Sequence, residues 1–389
     1  MKTAALLLSL IAFASGASAQ STPGVTKNEI VIGSILDLSG PIAYGGKQVR
    51  NGMQMRLDEA NANGGVNGRK IKLLVEDSAY DPKRSVLVAQ KLVTGEHVFA
   101  IVGHMGTANN IAVMPMQFQN NVINFMPMTG TRAVFDPPER LKVAVIQPYY
   151  DQIELGVQVL ASRSPQGRFC VAYQDDEYGL EHLRGTEAGL KTVGTTVAEK
   201  VSYKRGATDF SSQVARLKGA GCTHVVLGTL VRETIGIMSE AHKADFNPEF
   251  IGSESVYTGT MMQLGGKAVE GLYGVHAMTT PTAEDASRRV RDWYTSYKSR
   301  FGEDPQQLAV YGWYAMDLFI ATAEKAGPTL TTDSFLDALE STTWPRNMFG
   351  GPEFHITKTN RLGSGMSRVS QIQNGKWVPI TELRAAKKS

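Results

Sequence analysis

Residues 101–115, IVGHMGTANNIAVMP, begin as an apolar strand and change character at Gly103 and Gly106. Thr107 and Asn109 are residue types that open helices. A strand that runs through glycine into a helix start leaves backbone N–H groups without intrahelical partners, and such a place attracts anions. With a hydroxyl beside it, it suits a carboxylate. Thr129 and Thr131, in NFMPMTGTR, follow the next apolar run. Elsewhere, Glu254 follows a short apolar run in FIGSES, where a lone glutamate suits an ammonium. Tyr44 in LSGPIAYGG, Tyr178 in YQDDEYG and Leu230 in VVLGTLV stand in the same position after other apolar runs. One part of the molecule would hold the acid end of an amino acid and another its amine. Each residue also has a plainer use: tyrosines bury their rings, Thr107 caps a helix, and a glutamate most often stands solvated in a loop.

Other chemistries lack their residues. No G-x-x-x-x-G-K-[ST] occurs, and no G-x-G-x-x-G follows the first strand, so no nucleotide cofactor is expected. The seven histidines are scattered, without H-x-H or H-x-x-x-H spacing and without a cysteine partner, so no metal is expected. His104 reads as a loop histidine bonded to backbone. GSESV lacks the last glycine of a nucleophile elbow, and no catalytic residue is assigned. A secreted hydrolase would still need a nucleophile, a base and an acid to converge in a cleft.

The elements that must position these residues alternate. EIVIGSIL, KIKLLVED, VFAIVG and VINF read as strands; between them lie helical stretches, including PKRSVLVAQKLVTG and TANNIAVMPMQFQNN, the latter bent at Pro115. A similar series restarts near residue 150, with RFCVAYQD, TTVAEKVSY, THVVLG, EFIG and LYGVHA as strands. Alternating β and α units imply parallel sheets covered on both faces. The fold class is therefore α/β, with two doubly wound parallel-sheet lobes. Two long helical patterns follow (residues 287–301 and 306–327), then short strands in FHIT, SRVSQIQ and KWVPI that finish a sheet. The chain is expected to cross between lobes near 146–150, 277–282 and 347–352. Lobe 1 would comprise 20–147 plus 281–348, and lobe 2 would comprise 148–280 plus 349–389, joined by a multi-strand hinge.

A chain of 389 residues is too long for one ordinary core, and a net charge of +3 with 20% charged residues gives no basic surplus for nucleic acid. Lys2, the apolar AALLLSLIAFA and the small residues ASA read as a signal peptide over 1–19, cut before Gln20. No cysteine lies near the cut, so a lipid anchor is not expected. Cys170 and Cys222 are the two cysteines; export permits a disulfide, and spacing leaves it open.

In sum of motifs, LSGPIAYGG, EANANGGVNGRKIKLLVEDSAYDP, IVGH, QDDEYG, TDFSSQVARLK and FIGSES occur in an order that resembles the leucine/isoleucine/valine-binding family of type I periplasmic solute-binding proteins. The resemblance covers essentially the whole mature chain. It implies a monomeric, non-enzymatic periplasmic receptor that needs no cofactor, closes on a solute and delivers it to the membrane permease of an ABC importer. Carried over by motif, the ring over the ligand side chain falls on Tyr44, and the carboxylate-binding hydroxyl and N–H on Thr107 and Ala108. A second carboxylate contact falls among Met128, Thr129 and Thr131, with Tyr178 and the ammonium partner Glu254 on the other lobe. The resemblance implies a branched-chain or similar apolar amino acid, or alternatively an aromatic carboxylate or a small amide or urea-type solute. There are departures: Leu230 and Ala309 stand where aromatics are often found, with Tyr311 close by. Tyr80 and Gly106 replace a cysteine pair, and MTGT leaves the threonine register open. A sensor subunit that presents solute to a signalling receptor would carry the same signature. A repressor of this lobe architecture is excluded by the export signal and the missing basic helix-turn-helix.

Overall fold

The computed structural model describes residues 22–387, so the signal peptide expected over 1–19 lies outside the described residues. The first sheet holds β1 (Glu29–Leu36), β2 (Lys70–Asp77), β3 (Ala100–Val102), β4 (Ile123–Phe125) and β5 (Lys142–Val143), all parallel, in the order β2-β1-β3-β4-β5. Ile30, Ile32, Ile35 and Leu36 of β1 are all buried although they point to both faces, as expected of a strand covered by helices on each side. The second sheet holds β6 (Phe169–Gln174), β7 (Glu199–Tyr203), β8 (His224–Gly228), β9 (Glu249–Gly252) and β10 (Tyr273–His276) in the parallel order β7-β6-β8-β9-β10. β11 (Arg368–Gln373) and β12 (Lys376–Pro379) extend it antiparallel. The strand order is thus the same in both lobes, and in each it reverses beside the first strand. Ligand crevices of open α/β sheets form beyond the carboxyl ends at such reversals.

Helices α1 (Ala43–Ala62), α2 (Pro82–Gln90) and α3 (Thr107–Gln119) flank the first sheet; α3 is continuous through Pro115. α4 (Tyr149–Arg163), α5 (Glu177–Lys191), α6 (Ser211–Gly219), α7 (Val231–Lys243) and α8 (Gly259–Gly265) belong to the second. The chain then returns: α9 (Arg288–Phe301), α10 (Gln307–Ala326) and α11 (Thr332–Glu340) bury Trp293, Phe319 and Phe335 against the first sheet. α1 and α10 lie unusually close. A Cβ at Gly52 would sit 2.0 Å from the Ala309 carbonyl oxygen, and one at Gly312 would sit 2.2 Å from that of Val49, so only glycine allows the approach. That contact sets α1 and the first turn of α10 side by side at the cavity.

The last crossing lies further along than 347–352. Phe349, Phe354 and Ile356 pack in the first lobe's core, and Leu362 bridges Ala144. Arg361, fully buried, binds the Lys142 carbonyl (2.8 Å) and Glu340 (2.7 Å). Residues 349–363, expected in lobe 2, therefore pack with lobe 1 and FHIT is no strand, because a buried guanidinium and two aromatic anchors outweigh the strand-like pattern. Chain passes between lobes at about residues 144–149, 277–287 and 364–367. The question left open for the cysteines is answered: Cys170 and Cys222 are bonded, with Cα atoms 5.9 Å apart.

Candidate functional site

A cavity of about 790 Å³, its mouth included, opens between the carboxyl ends of the two sheets. The first lobe reaches it through three loops. After β1, Asp37 accepts the N–H groups of Gly40 (2.5 Å) and Ile42 (2.8 Å), folding the loop so that α1 starts with Tyr44 at the cavity wall. The Tyr44 ring also packs on the second lobe's core. After β3, Gly103 (φ +69°) and Gly106 (φ +97°) take conformations that side chains resist, and α3 opens at Thr107. The Thr107 hydroxyl lies 2.7 Å from that of Thr129, and the first N–H groups of the helix stand outside its own ladder.

The second lobe supplies Tyr178, Leu230 and Glu254. Asp176 caps α5 by accepting the N–H groups of Tyr178 (3.1 Å) and Gly179 (3.3 Å). The Tyr178 hydroxyl donates to the Thr229 carbonyl (2.9 Å), leaving its ring edge-on to Tyr149 at 5.1 Å. Leu230 caps α7 in extended conformation and borders the same space. Glu254 is 7% exposed. One carboxylate oxygen accepts from Gln307 Nε2 (2.7 Å) and the other from Gln152 Nε2 (3.4 Å), while the Gln152 side-chain oxygen accepts the Glu254 N–H (2.7 Å). Tyr311 borders the carboxylate. Burial, against the weaker help of these donors, pushes the carboxyl up to about 8.

Six of the nine residues singled out in the sequence thus line one cavity: Tyr44, Thr107, Met128, Tyr178, Leu230 and Glu254. Three do not. Thr129 stands one hydrogen bond behind Thr107, and Ala108 lies off the wall. Thr131 faces away, donating to Glu181 (3.3 Å) across the lobes because the turn at Gly130 carries its side chain past the cavity. Sequence reading missed Tyr149, Tyr257 and three glutamines, Gln48, Gln306 and Gln307, as wall residues. Tyr257 follows Glu254 in the same loop, a usable signal; the glutamines sit on helices α1 and at the start of α10, where nothing marks them. Tyr80 was noted only as a replaced cysteine. It is buried on the wall, its ring against Gly106, and Arg205 of the second lobe lies 4.5 Å over that ring and donates to the Tyr80 carbonyl (2.6 Å).

A periplasmic binding protein family model matches residues 29–376. The chain belongs to the periplasmic binding protein family. It is 26% identical over 310 residues to a Leu/Ile/Val-binding protein homolog 2 of Brucella abortus (strain 2308), covering 78% of this chain and 80% of that one. Among solved structures, it resembles a fatty acid ABC transporter substrate-binding protein from Thermomonospora curvata (TM-score 0.85, 23% identity, 94% of each chain). It also resembles a branched chain amino acid ABC transporter from Thermus thermophilus with bound valine (TM-score 0.82, 16% identity, 92% of this chain and 96% of that one). The family takes small-molecule solutes and pairs with a permease, and its fold is the two-lobed α/β architecture described above.

In this binding protein the other reactive-looking groups are sealed off. Ser253 donates to His182 Nε2 (2.8 Å), and His182 Nδ1 donates to the Tyr178 carbonyl (2.9 Å); both side chains are fully buried, and burial pushes the imidazole down to about 4. His104, expected to bond to backbone, is instead buried with neither ring nitrogen partnered, and burial pushes it down to about 3. Among the described residues no cluster of three or more His, Cys, Asp or Glu side chains is placed to hold a metal. No described helix is long and apolar enough to cross a membrane.

Proposed function

We propose that this chain is the periplasmic solute receptor of an ABC importer, a monomer that works without a cofactor and without chemistry of its own. Its solute is a branched-chain or similar apolar α-amino acid. The observation that carries this reading is the buried Glu254 on one lobe facing the same cavity as the Thr107 hydroxyl and the start of α3 on the other. A carboxylate at α3 and an ammonium at Glu254 would bridge the lobes, so the solute favours closure by contacts made only when both lobes meet it. The titration is calorimetric: L-leucine against isocaproate, which has the same carbon skeleton without the amine. Leucine should bind at least tenfold tighter, and Glu254→Gln should erase the difference. Equal affinities in the native protein would remove the amine from the reading.

A second reading is an aromatic carboxylate or small amide. It is favoured by the carboxyl at about 8, which keeps Glu254 protonated in neutral solution, and by the tyrosine-rich wall. A protonated Glu254 would then donate a hydrogen bond to a neutral acceptor. Tighter binding of the amine-free acid in the same titration would select it.

A further inference from the structure

Three glutamines line the cavity and a fourth, Gln152, stands behind Glu254; two of the four are unlike the others. Gln307 Nε2 has two acceptors, Glu254 (2.7 Å) and the Met278 carbonyl (3.2 Å). Gln152 Nε2 likewise has two, the Gln147 carbonyl (2.7 Å) and Glu254 (3.4 Å). Gln48 and Gln306 are 6% and 8% exposed and both line the cavity. Their amide orientation is fixed by backbone donors. Gln48 Oε1 accepts the Gln306 N–H (2.9 Å) and the Tyr297 hydroxyl (3.0 Å); Gln306 Oε1 accepts the Gly259 N–H (2.6 Å) and the Thr258 hydroxyl (3.3 Å). An oxygen must occupy each of those positions, so an NH2 group occupies the other. The two NH2 groups together hold four N–H bonds, and the structure offers them one acceptor, the Asp304 carbonyl, at 3.4 Å from each. Each amide thus has one N–H directed at that shared carbonyl, at the long end of hydrogen bonding, and a second without an acceptor; near-buried donors in that state are costly and are a demand on whatever fills the cavity.

We infer that the solute carries a second hydrogen-bond acceptor, a carbonyl-type oxygen of a keto, amide or carboxyl group, which Gln48 and Gln306 receive. This rests on the proposed receptor role and departs from a purely aliphatic side chain: the ligand is an acid with an apolar body that ends, beside these amides, in an oxygen. Gln306 also borders a neighbouring cleft walled by Tyr257, Met262, Tyr294 and Trp377, so an acceptor held here leaves room for a longer body beyond it.

Two pairs of probes of matched shape test the inference by calorimetry. L-leucine and L-asparagine share an outline and differ in the amide; phenylbutyrate and benzoylpropionate differ by a methylene against a ketone. In at least one pair the acceptor-bearing member should bind about tenfold tighter. Gln306→Glu and Gln48→Glu keep the oxygen that holds Gly259 or Gln306 and remove the NH2, so each should abolish that preference, read as the ratio of affinities within a pair. If one variant fails to fold, the other decides. Equal or tighter binding of the apolar member in both pairs overturns the inference, and so does binding by none of the four at millimolar concentration. If both amino acids are silent while benzoylpropionate exceeds phenylbutyrate, the amine reading falls and this inference stands.

Discussion

The two lobes repeat one strand order and meet the cavity with different chemistry. The first offers groups that cannot change charge, a helix start and the Thr107 hydroxyl backed by that of Thr129, set by glycines in conformations other residues resist. The second offers a carboxyl whose charge is poised by burial. They are also fastened differently. In the second a disulfide ties β6 to the turn before β8; in the first, a tyrosine ring rests on Gly106 and is held from the opposite lobe by Arg205. One lobe is internally cross-linked, whereas the other borrows a side chain from its partner. The contrast teaches that affinity can be tuned on the second lobe by pH and on the first only by geometry.

The largest effect should come from breaking the fastening of the second lobe. A Cys170→Ser, Cys222→Ser double variant opens a loop of 52 residues, which chain entropy values at about 4 kcal/mol. Calorimetry should show a transition lowered by roughly 10 °C, with solute affinity kept. Next comes the titratable wall. Glu254→Gln should weaken an α-amino acid by more than tenfold, since a hydrogen bond to a charged group contributes about 1.5–3 kcal/mol.

The pH profile sharpens the same point. An ammonium needs the ionised carboxylate, so leucine affinity should rise between pH 6 and about 8, with a proton released on binding, and then level. An acceptor-bearing solute without an amine should instead weaken as pH passes 8. In the empty protein the folded carboxyl stays protonated while the unfolded one ionises near 4.5, so this group's contribution to stability falls as pH rises from there to about 8 and is flat above.

Smaller effects belong to the first lobe. Thr107→Ala should cost about 1 kcal/mol, roughly fivefold in affinity, for any carboxylate and at every pH; retained affinity would remove the anion-site role. Arg205→Ala, outside the cavity, should speed solute release about threefold with little change in the association rate, as stopped-flow fluorescence would record.

Much of this was legible before the fold was known. Apolar runs and turn residues marked eleven of the twelve described strands, and the nine parallel ones among them carry the apolar pattern of a covered sheet. Glu254, Thr107 and Tyr178 were legible because each follows a strand directly, where the open α/β sheet puts its crevice. β5 was not, being two residues long, nor was α11. Gln48 and Gln306 were illegible for another reason: a polar residue on a helix reads as solvent-facing until a second helix closes over it, and here that depends on the close approaches of Gly52 to Ala309 and of Gly312 to Val49. The position of the third crossing hinged on Arg361, whose burial no local pattern announces.

The three strands of chain between the lobes leave one further mark. Three tethers side by side act like a leaf spring: they bend readily about the line that joins them and resist twist and shear. In a receptor that closes as proposed, such tethers would limit the motion to a single swing, and each re-closure would bring Glu254 back opposite Thr107 in the same register. A protease that nicks one tether would leave two, and the lobes would stay attached while losing that register.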